Sequence, residues 1–229
     1  MRFLLTNDDG IDAPGLQALA EAARELGELV TVAPDCHLSG CGHRVTTDSP
    51  IRLFAHGPGR WAIDGTPADC VRVALAHVAP EVDCVLAGLN HGGNLGADVY
   101  HSGTVAAARE AALHGRPSIA CSQYRKRGRD IDWQRASSWL RRALADVLQR
   151  PFEPGTFWNI NLPHLEPDEP DPALVLCPLE GGPLPLGFRA EEDRLHYCGN
   201  YHERRRRSGT DVDVCFAGNI ALTQLVVAV

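Results

Sequence analysis

The run Phe3-Leu4-Leu5-Thr6-Asn7-Asp8-Asp9-Gly10 sets the architecture of the chain. Apolar, β-preferring residues lead up to Thr6, two adjacent acids and a glycine follow, and Pro14 opens a helical pattern. This reads as strand, loop, helix. It puts Asp8 and Asp9 at the carboxyl end of a first strand, where open α/β sheets bind their ligands. Neighbouring carboxylates about 4 Å apart repel by about 4 kcal/mol at an effective dielectric near 20. A fold keeps such a pair by screening it with water or by placing a cation between the charges. Asn, Asp and Gly also make ordinary turns, and these residues alone do not separate a turn from a metal site.

Downstream, Leu16, Leu19, Ala20, Ala23 and Leu26 keep helical spacing until Gly27 stops them. Leu29 to Ala33 is a buried strand, so the first unit is βαβ with a parallel pair. Residues 44–54 and 60–63 read as short strands. Thr66-Pro67-Ala68-Asp69 has a hydroxyl cap, Pro at the first helical position and an acid in the first turn. A strand over 83–87, a long loop over 88–103, a helix over 104–114, a strand over 118–121 and an amphipathic helix over 131–148 complete the first part. Residues 1–150 are therefore expected to form an α/β domain with a doubly wound, mainly parallel, Rossmann-like sheet. Beyond Pro151 the texture changes. One more strand over 157–162 precedes a Pro- and acid-rich segment over 163–172, then Leu174-Val175-Leu176 and a Gly/Pro cluster. Residues 151–229 read as an irregular β-rich extension of that domain.

Composition narrows the function. A chain of 229 residues with formal charge −7 lacks the basic balance of a non-specific nucleic-acid binder. No apolar run approaches the roughly 18 residues of a membrane span. Arg2 is followed by only a few apolar residues before the acids, which is not a secretory pattern, and a cytoplasmic protein is expected. The eight cysteines lack the dense pattern of a disulfide scaffold. Several sit in apolar runs and read as buried free thiols.

The loop Gly88-Leu89-Asn90-His91-Gly92-Gly93-Asn94-Leu95-Gly96 carries four glycines and two carboxamides, and Ser102-Gly103-Thr104 then opens a helix. Glycines let backbone approach a ligand, and a helix N-terminus offers unpaired N–H groups to an anion. The pattern suits phosphate, although it is neither a P-loop nor a dinucleotide fingerprint. A long surface loop with structural glycines is the competing reading. Cys36, His37, Cys41 and His43 invite a zinc reading, but they crowd into one short loop, unlike the separated ligand pairs of structural zinc sites. His91-Gly92-Gly93 invites an oxyanion-loop reading, yet no Gly-x-Ser-x-Gly accompanies it. The run Arg204-Arg205-Arg206-Arg207 in an acidic chain reads as a solvated hairpin loop.

Taken together, these residues resemble the SurE survival-protein nucleotidases. The likeness rests on residues 6–11 with Ala13-Pro14-Gly15, on Val32-Ala33-Pro34-Asp35 with Ser39-Gly40, and on residues 65–71. It continues through Gly88-Leu89-Asn90, Gly93-Asn94-Leu95-Gly96, residues 102–107, residues 159–163 and Gly209-Thr210-Asp211. It spans nearly the whole chain in order. The resemblance implies one divalent cation per subunit, Mg²⁺ or Mn²⁺, held by Asp8, Asp9, Ser39 and Asn90, an oxygen set that suits a hard ion. It implies hydrolysis of nucleoside 5′- and 3′-monophosphates, and of short polyphosphate in some members. Asp8, Asp9 and Asn94 are then the expected catalytic residues. Ser39, Gly40, Asn94, Ser102, Gly103 and Thr104 are the expected substrate contacts. Asp8 is the first choice for a second role, as base or as nucleophile, and the sequence does not choose between them.

Three positions depart from the family pattern. Ala87 stands where Ser is usual, Thr223-Gln224-Leu225 replaces a Thr-Pro-Leu, and Cys198 lies where an aromatic is common. The family also tends to associate through a C-terminal tail that is short here, where the chain runs to Val229. A homo-oligomer is expected, a dimer first and a tetramer second, with residues 151–229 as the contact region. The competing function is a non-catalytic nucleotide or phosphate sensor on the same fold. Such a binder would have no need of the awkward acid pair.

Overall fold

Phe3 and Leu5 point to one face of β1 (Arg2–Thr6) and Leu4 to the other, and all three are fully buried. A strand that is apolar on both faces needs a cover on each. In the computed structural model, which describes residues 1–227, the chain supplies both. Helices α1 (Pro14–Ala23) and α4 (Trp133–Val147) pack Leu16, Leu19, Leu140 and Leu144 against the Phe3 face. Helices α2 (Pro67–Val73, continued by a wider turn to Val78) and α3 (Gly103–Leu113) pack Val71 and Val105 against the Leu4 face. The last two residues of the extension, through Val229, lie outside the described residues.

Eight further strands join β1 in the main sheet: β2 (Glu28–Pro34), β3 (Leu53–Gly57), β4 (Arg60–Ile63), β5 (Cys84–His91), β6 (Ser118–Gln123), β7 (Thr156–Leu162), β8 (Leu174–Leu176) and β11 (Ile220–Val226). They form one nine-stranded sheet in the order β3-β4-β2-β1-β5-β6-β7-β11-β8. From β4 to β7 every neighbouring pair is parallel, and β3 and β11 join antiparallel toward the margins. The doubly wound α/β class read from the sequence is the fold observed. Strands β7, β11 and β8, all drawn from the extension, continue the main sheet. A separate two-stranded ribbon, β9 (Phe188–Glu191) with β10 (Arg194–Tyr197), projects from it, and α5 (Asp211–Phe216) precedes β11. Among the described residues no helix is long and apolar enough to cross a membrane.

The direction in which strands are added reverses at β1. Chain order runs outward from β1 through β2 and β4 on one side, and through β5, β6 and β7 on the other. Loops leaving β1 and β5 therefore diverge to opposite faces and open a crevice at their carboxyl ends, the switch point of such sheets. Asp8 and Asn90 sit at those two ends.

Four local expectations are corrected. Residues 44–52 are not strand, because their donors go to side chains: the Thr46 N–H to Asp69 (2.8 Å) and the Arg52 N–H to Asp64 (2.7 Å). Strand β5 does not stop at Ala87 but reaches His91, its register against β6 shifting between Ala87 and Asn90. Gly88 makes that shift feasible: its φ is +136°, and an added Cβ would lie 2.1 Å from the Cys121 carbonyl oxygen. The long loop also holds a single 3₁₀ turn, Gly96–Tyr100. Finally, α4 starts two residues later than expected, where Asp132 caps it by accepting the Arg135 N–H (2.9 Å).

Candidate active site

Asp8 leaves β1 into the crevice and is 3% exposed. Its carboxylate accepts the Thr104 hydroxyl (Oγ1–Oδ1 2.5 Å) and the Thr104 backbone N–H at the start of α3. Its own carbonyl accepts the Leu38 N–H (2.8 Å), which ties the loop carrying Ser39 to the end of β1. Asp9 faces the other loop. Its Oδ2 accepts the His91 N–H (3.1 Å), and its Oδ1 lies 3.2 Å from His37 Nδ1. The end of β1 is thus bonded to the residue following Asn90. The Asn90 amide donates to the Gly92 carbonyl (2.8 Å), an arrangement that leaves its carbonyl oxygen as an acceptor.

Electrostatics make this a costly place for two acids. Burial pushes the Asp8 carboxyl above its usual range and the Asp9 charge adds to the rise, while the Thr104 donors pull against it. Among the described residues no Lys or Arg side chain pairs with either acid; the one ion-pair partner is His37. Nor, among the described residues, do three His, Cys, Asp or Glu side chains converge as a metal cluster. The donors gathered here are two carboxylates, with the Asn90 amide oxygen at the end of β5 and the Ser39 hydroxyl in the adjoining loop. An all-oxygen set with uncompensated negative charge fits a hard divalent cation.

The expected phosphate contacts divide. Ser102 caps α3 by accepting the Val105 N–H (3.1 Å), which leaves its hydroxyl proton free to donate. Gly103 lies so close to Asp8 and Cys41 that an added Cβ would stand 3.0 Å from Asp8 Cβ and 2.9 Å from Cys41 Sγ. Thr104 differs from expectation: its hydroxyl is committed to Asp8 and is not open to a substrate. Asn94 is buried, with its amide donating to Ser122 Oγ (2.7 Å) and its backbone held by Asn159 and Asn161. Ser39 and Gly40 are exposed in their loop.

Sequence reasoning missed the Asn159–Asn161–Ser122 support of Asn94, although two carboxamides at alternate positions of an apolar strand were a signal. The crowded Cys/His loop disperses into separate duties. His37 goes to Asp9, and His43 Nε2 lies 2.7 Å from the buried Glu110. Hydrogen bonding from His43, with help from His114, holds the Glu110 carboxyl below its usual range. The basic run is corrected at one position: Arg205, Arg206 and Arg207 are exposed as expected, but Arg204 is buried and paired with Asp98, which reaches it inside the molecule.

Known proteins share this sequence and this fold. The family model described as survival protein SurE matches residues 3–178. A Nostoc protein named putative 5′-nucleotidase is 53% identical over 225 residues, covering 98% of this chain and 99% of its own. A Geobacter sulfurreducens protein named 5′-nucleotidase SurE is 43% identical over 230 residues, covering 98% of this chain and 87% of its own. The crystal structure of the SurE protein from Aquifex aeolicus superposes with a TM-score of 0.87 at 31% identity, covering 100% of this chain and 94% of the other.

Proposed function

The chain belongs to the survival protein SurE family, and on that basis we propose that it is a metal-dependent 5′-nucleotidase. It would hydrolyse nucleoside monophosphates to nucleoside and phosphate, with 3′-esters and short polyphosphate as further substrates. One observation carries the reading. Two acids without a Lys or Arg partner among the described residues meet the Asn90 strand end and the N-terminus of α3 in one switch-point crevice. A non-catalytic sensor gains nothing from burying that charge.

Asp8, Asp9, Ser39 and Asn90 are the residues that would hold the cation, one per subunit, Mg²⁺ or Mn²⁺. When bound it supplies charge neutralisation at the phosphoryl oxygens. The rest of the chemistry falls to the chain. The Ser102 hydroxyl and the Gly103 N–H would bind equatorial oxygens at the helix N-terminus. The second N–H of the Asn94 amide remains to reach another, with Gly40 lining the approach. Thr104 serves the reaction indirectly by fixing the Asp8 carboxylate. Asp8 and Asp9 then orient the attack in line with the leaving ester oxygen. The eight free thiols, five of them buried, support a reducing compartment, the cytoplasm. Self-association, as a dimer or a tetramer, is proposed through residues 151–229.

The test is phosphate release from 5′- and 3′-nucleoside monophosphates, an aryl phosphate and short polyphosphate, with Mg²⁺ or Mn²⁺ and with chelator. Metal-dependent release from 5′-monophosphates is expected. Silence on every substrate and metal would overturn the reading. A second readout needs no turnover: either ion should raise the unfolding temperature of wild-type protein and not of Asp9→Ala.

A further inference from the structure

Arg204 opens the basic run, yet its side chain is only 3% exposed. The guanidinium donates to both oxygens of Asp98 (Nη2–Oδ1 2.7 Å, Nη1–Oδ2 2.8 Å) and to the Leu95 carbonyl (3.1 Å). It lies over the Tyr201 ring, 4.1 Å from the centroid, and the Tyr201 hydroxyl donates to Asp98 Oδ2 (2.7 Å). Burial works against the Arg204 charge, but the hydrogen bonds to Asp98 outweigh it and its pKa ends above the ordinary value. A two-pronged guanidinium–carboxylate pair fixes direction as well as distance. Burying such a pair is a poor way to gain stability, since desolvation offsets most of the attraction. What it does provide is orientation.

The group being oriented lies beside the crevice. Asp98 sits in the 3₁₀ turn Gly96–Tyr100, and its Oδ2 also accepts the Leu95 N–H (3.2 Å). Its backbone carbonyl accepts the N–H groups of His101 and Ser102, both at 3.0 Å. Ser102 caps α3, and the next two residues are Gly103 and Thr104, the latter bonded to Asp8. A second tie reinforces the first: Asp211 accepts the Gly96 N–H (2.7 Å) and the Glu180 N–H (2.8 Å). Residues 201–211 therefore strap the turn from a part of the chain 106 positions away.

We infer that Arg204, acting through Asp98, is a positioning residue that holds the Ser102–Thr104 cradle in register with Asp8. It touches neither substrate nor metal ligand. The inference rests on the phosphatase reading above, because the cradle is the part that would grip the transferred group. Slack in such a cradle of about 1 Å is enough to lower turnover about a hundredfold. Ground-state binding of the dianion, which any nearby donor can satisfy, suffers less.

The experiment compares wild type, Arg204→Gln, Arg204→Lys and Asp98→Asn in steady-state phosphate release, with amide hydrogen exchange read over residues 95–102. Arg204→Gln should lower kcat about ten- to a hundredfold and change KM by less than about threefold. Arg204→Lys should recover little, because an ammonium group does not span both oxygens. Exchange at Leu95, Gly96, His101 and Ser102 should speed up in each variant while the central strands stay protected. The double variant Arg204→Gln/Asp98→Asn should lose no more than either single one. Unchanged kcat, or unchanged exchange in the turn, would overturn the inference. Should Arg204→Gln fail to fold, the nearly isosteric Asp98→Asn carries the same readouts, and its results support or overturn the inference in the same way. Should wild type release no phosphate at all, the nucleotidase reading falls, and with it the role given to Arg204. The exchange result would still report whether the strap itself is real.

Discussion

Thr104 commits its hydroxyl and its backbone N–H to one buried carboxylate, and that commitment ranks the residues of the crevice. Asp8 is the acid that α3 holds in a fixed orientation, so Asp8→Asn should leave the fold intact and lower phosphatase turnover by about two orders of magnitude or more. Phosphate release measured beside circular dichroism checks this, and activity within a few-fold of the parent would remove Asp8 from the mechanism. Gly103→Ala gives a sharper separation of stability from function. Alanine favours a helix over glycine by about 1 kcal/mol, but the new methyl would press on Asp8 and Cys41, both about 3 Å from its position. Unfolding temperature should therefore change little while turnover falls at least about tenfold. A variant that keeps full activity would mean that Gly103 has room the geometry does not give it.

Among the elements, α2 shows how a sequence signal becomes a measurable property. Thr66-Pro67-Ala68-Asp69 announces a helix start, and the structure forms the reciprocal box: the Asp69 N–H donates to Thr66 Oγ1 (3.2 Å) and the Thr66 N–H to Asp69 Oδ2 (3.0 Å). The legible part ends there. Thr46 also gives Asp69 its N–H and its hydroxyl, both at 2.8 Å, from a segment that reads as strand in the sequence. Local pattern does not reveal that a distant acid will claim those donors. Burial alone would raise the Asp69 pKa, but the donors of Thr46 and Thr66 outweigh it and hold it below the usual carboxylate value. A carboxyl depressed in the folded state stabilises above its unfolded pKa, and that contribution disappears as pH falls through the folded value. Asp69→Asn should therefore cost about 1–3 kcal/mol near neutral pH. The gap from wild type should narrow as pH drops below about 4. Thermal unfolding of both proteins across about pH 3–7 checks it, and a gap independent of pH would assign the loss to packing.

In the molecule as a whole, the sheet and its switch point were readable because each parallel strand is a short apolar run with its loop chemistry directly after it. Asp8 and Asp9 were legible for that reason, whereas Asn90, expected in the loop after β5, lies within that strand. The Arg204–Asp98 pair was not, since it joins residues far apart in sequence and four consecutive arginines ordinarily stay in water. The β9–β10 ribbon escaped notice for a related reason: its strands are too short to stand out by alternation. In the folded chain Tyr197 pairs with Phe188 and Leu195 with Ala190, so these four share one face, while Arg189, Glu191, Arg194 and His196 take the other. Phe188 is 59% exposed, Leu195 70% and Tyr197 54%. A lone two-stranded ribbon is marginal in water, and an amphipathic one with its apolar face uncovered calls for a partner. A second copy of this chain is the simplest partner, because pairing two such ribbons about a two-fold axis covers both faces at once. Light scattering at micromolar protein, in reducing buffer because Cys198 adjoins Tyr197 and is exposed, should give a dimer or larger assembly. Phe188→Asp/Leu195→Asp should give a smaller species with the unfolding temperature of the main sheet nearly kept. A wild-type monomer would leave the ribbon without this role, and an assembly indifferent to the double substitution would place the interface outside the ribbon.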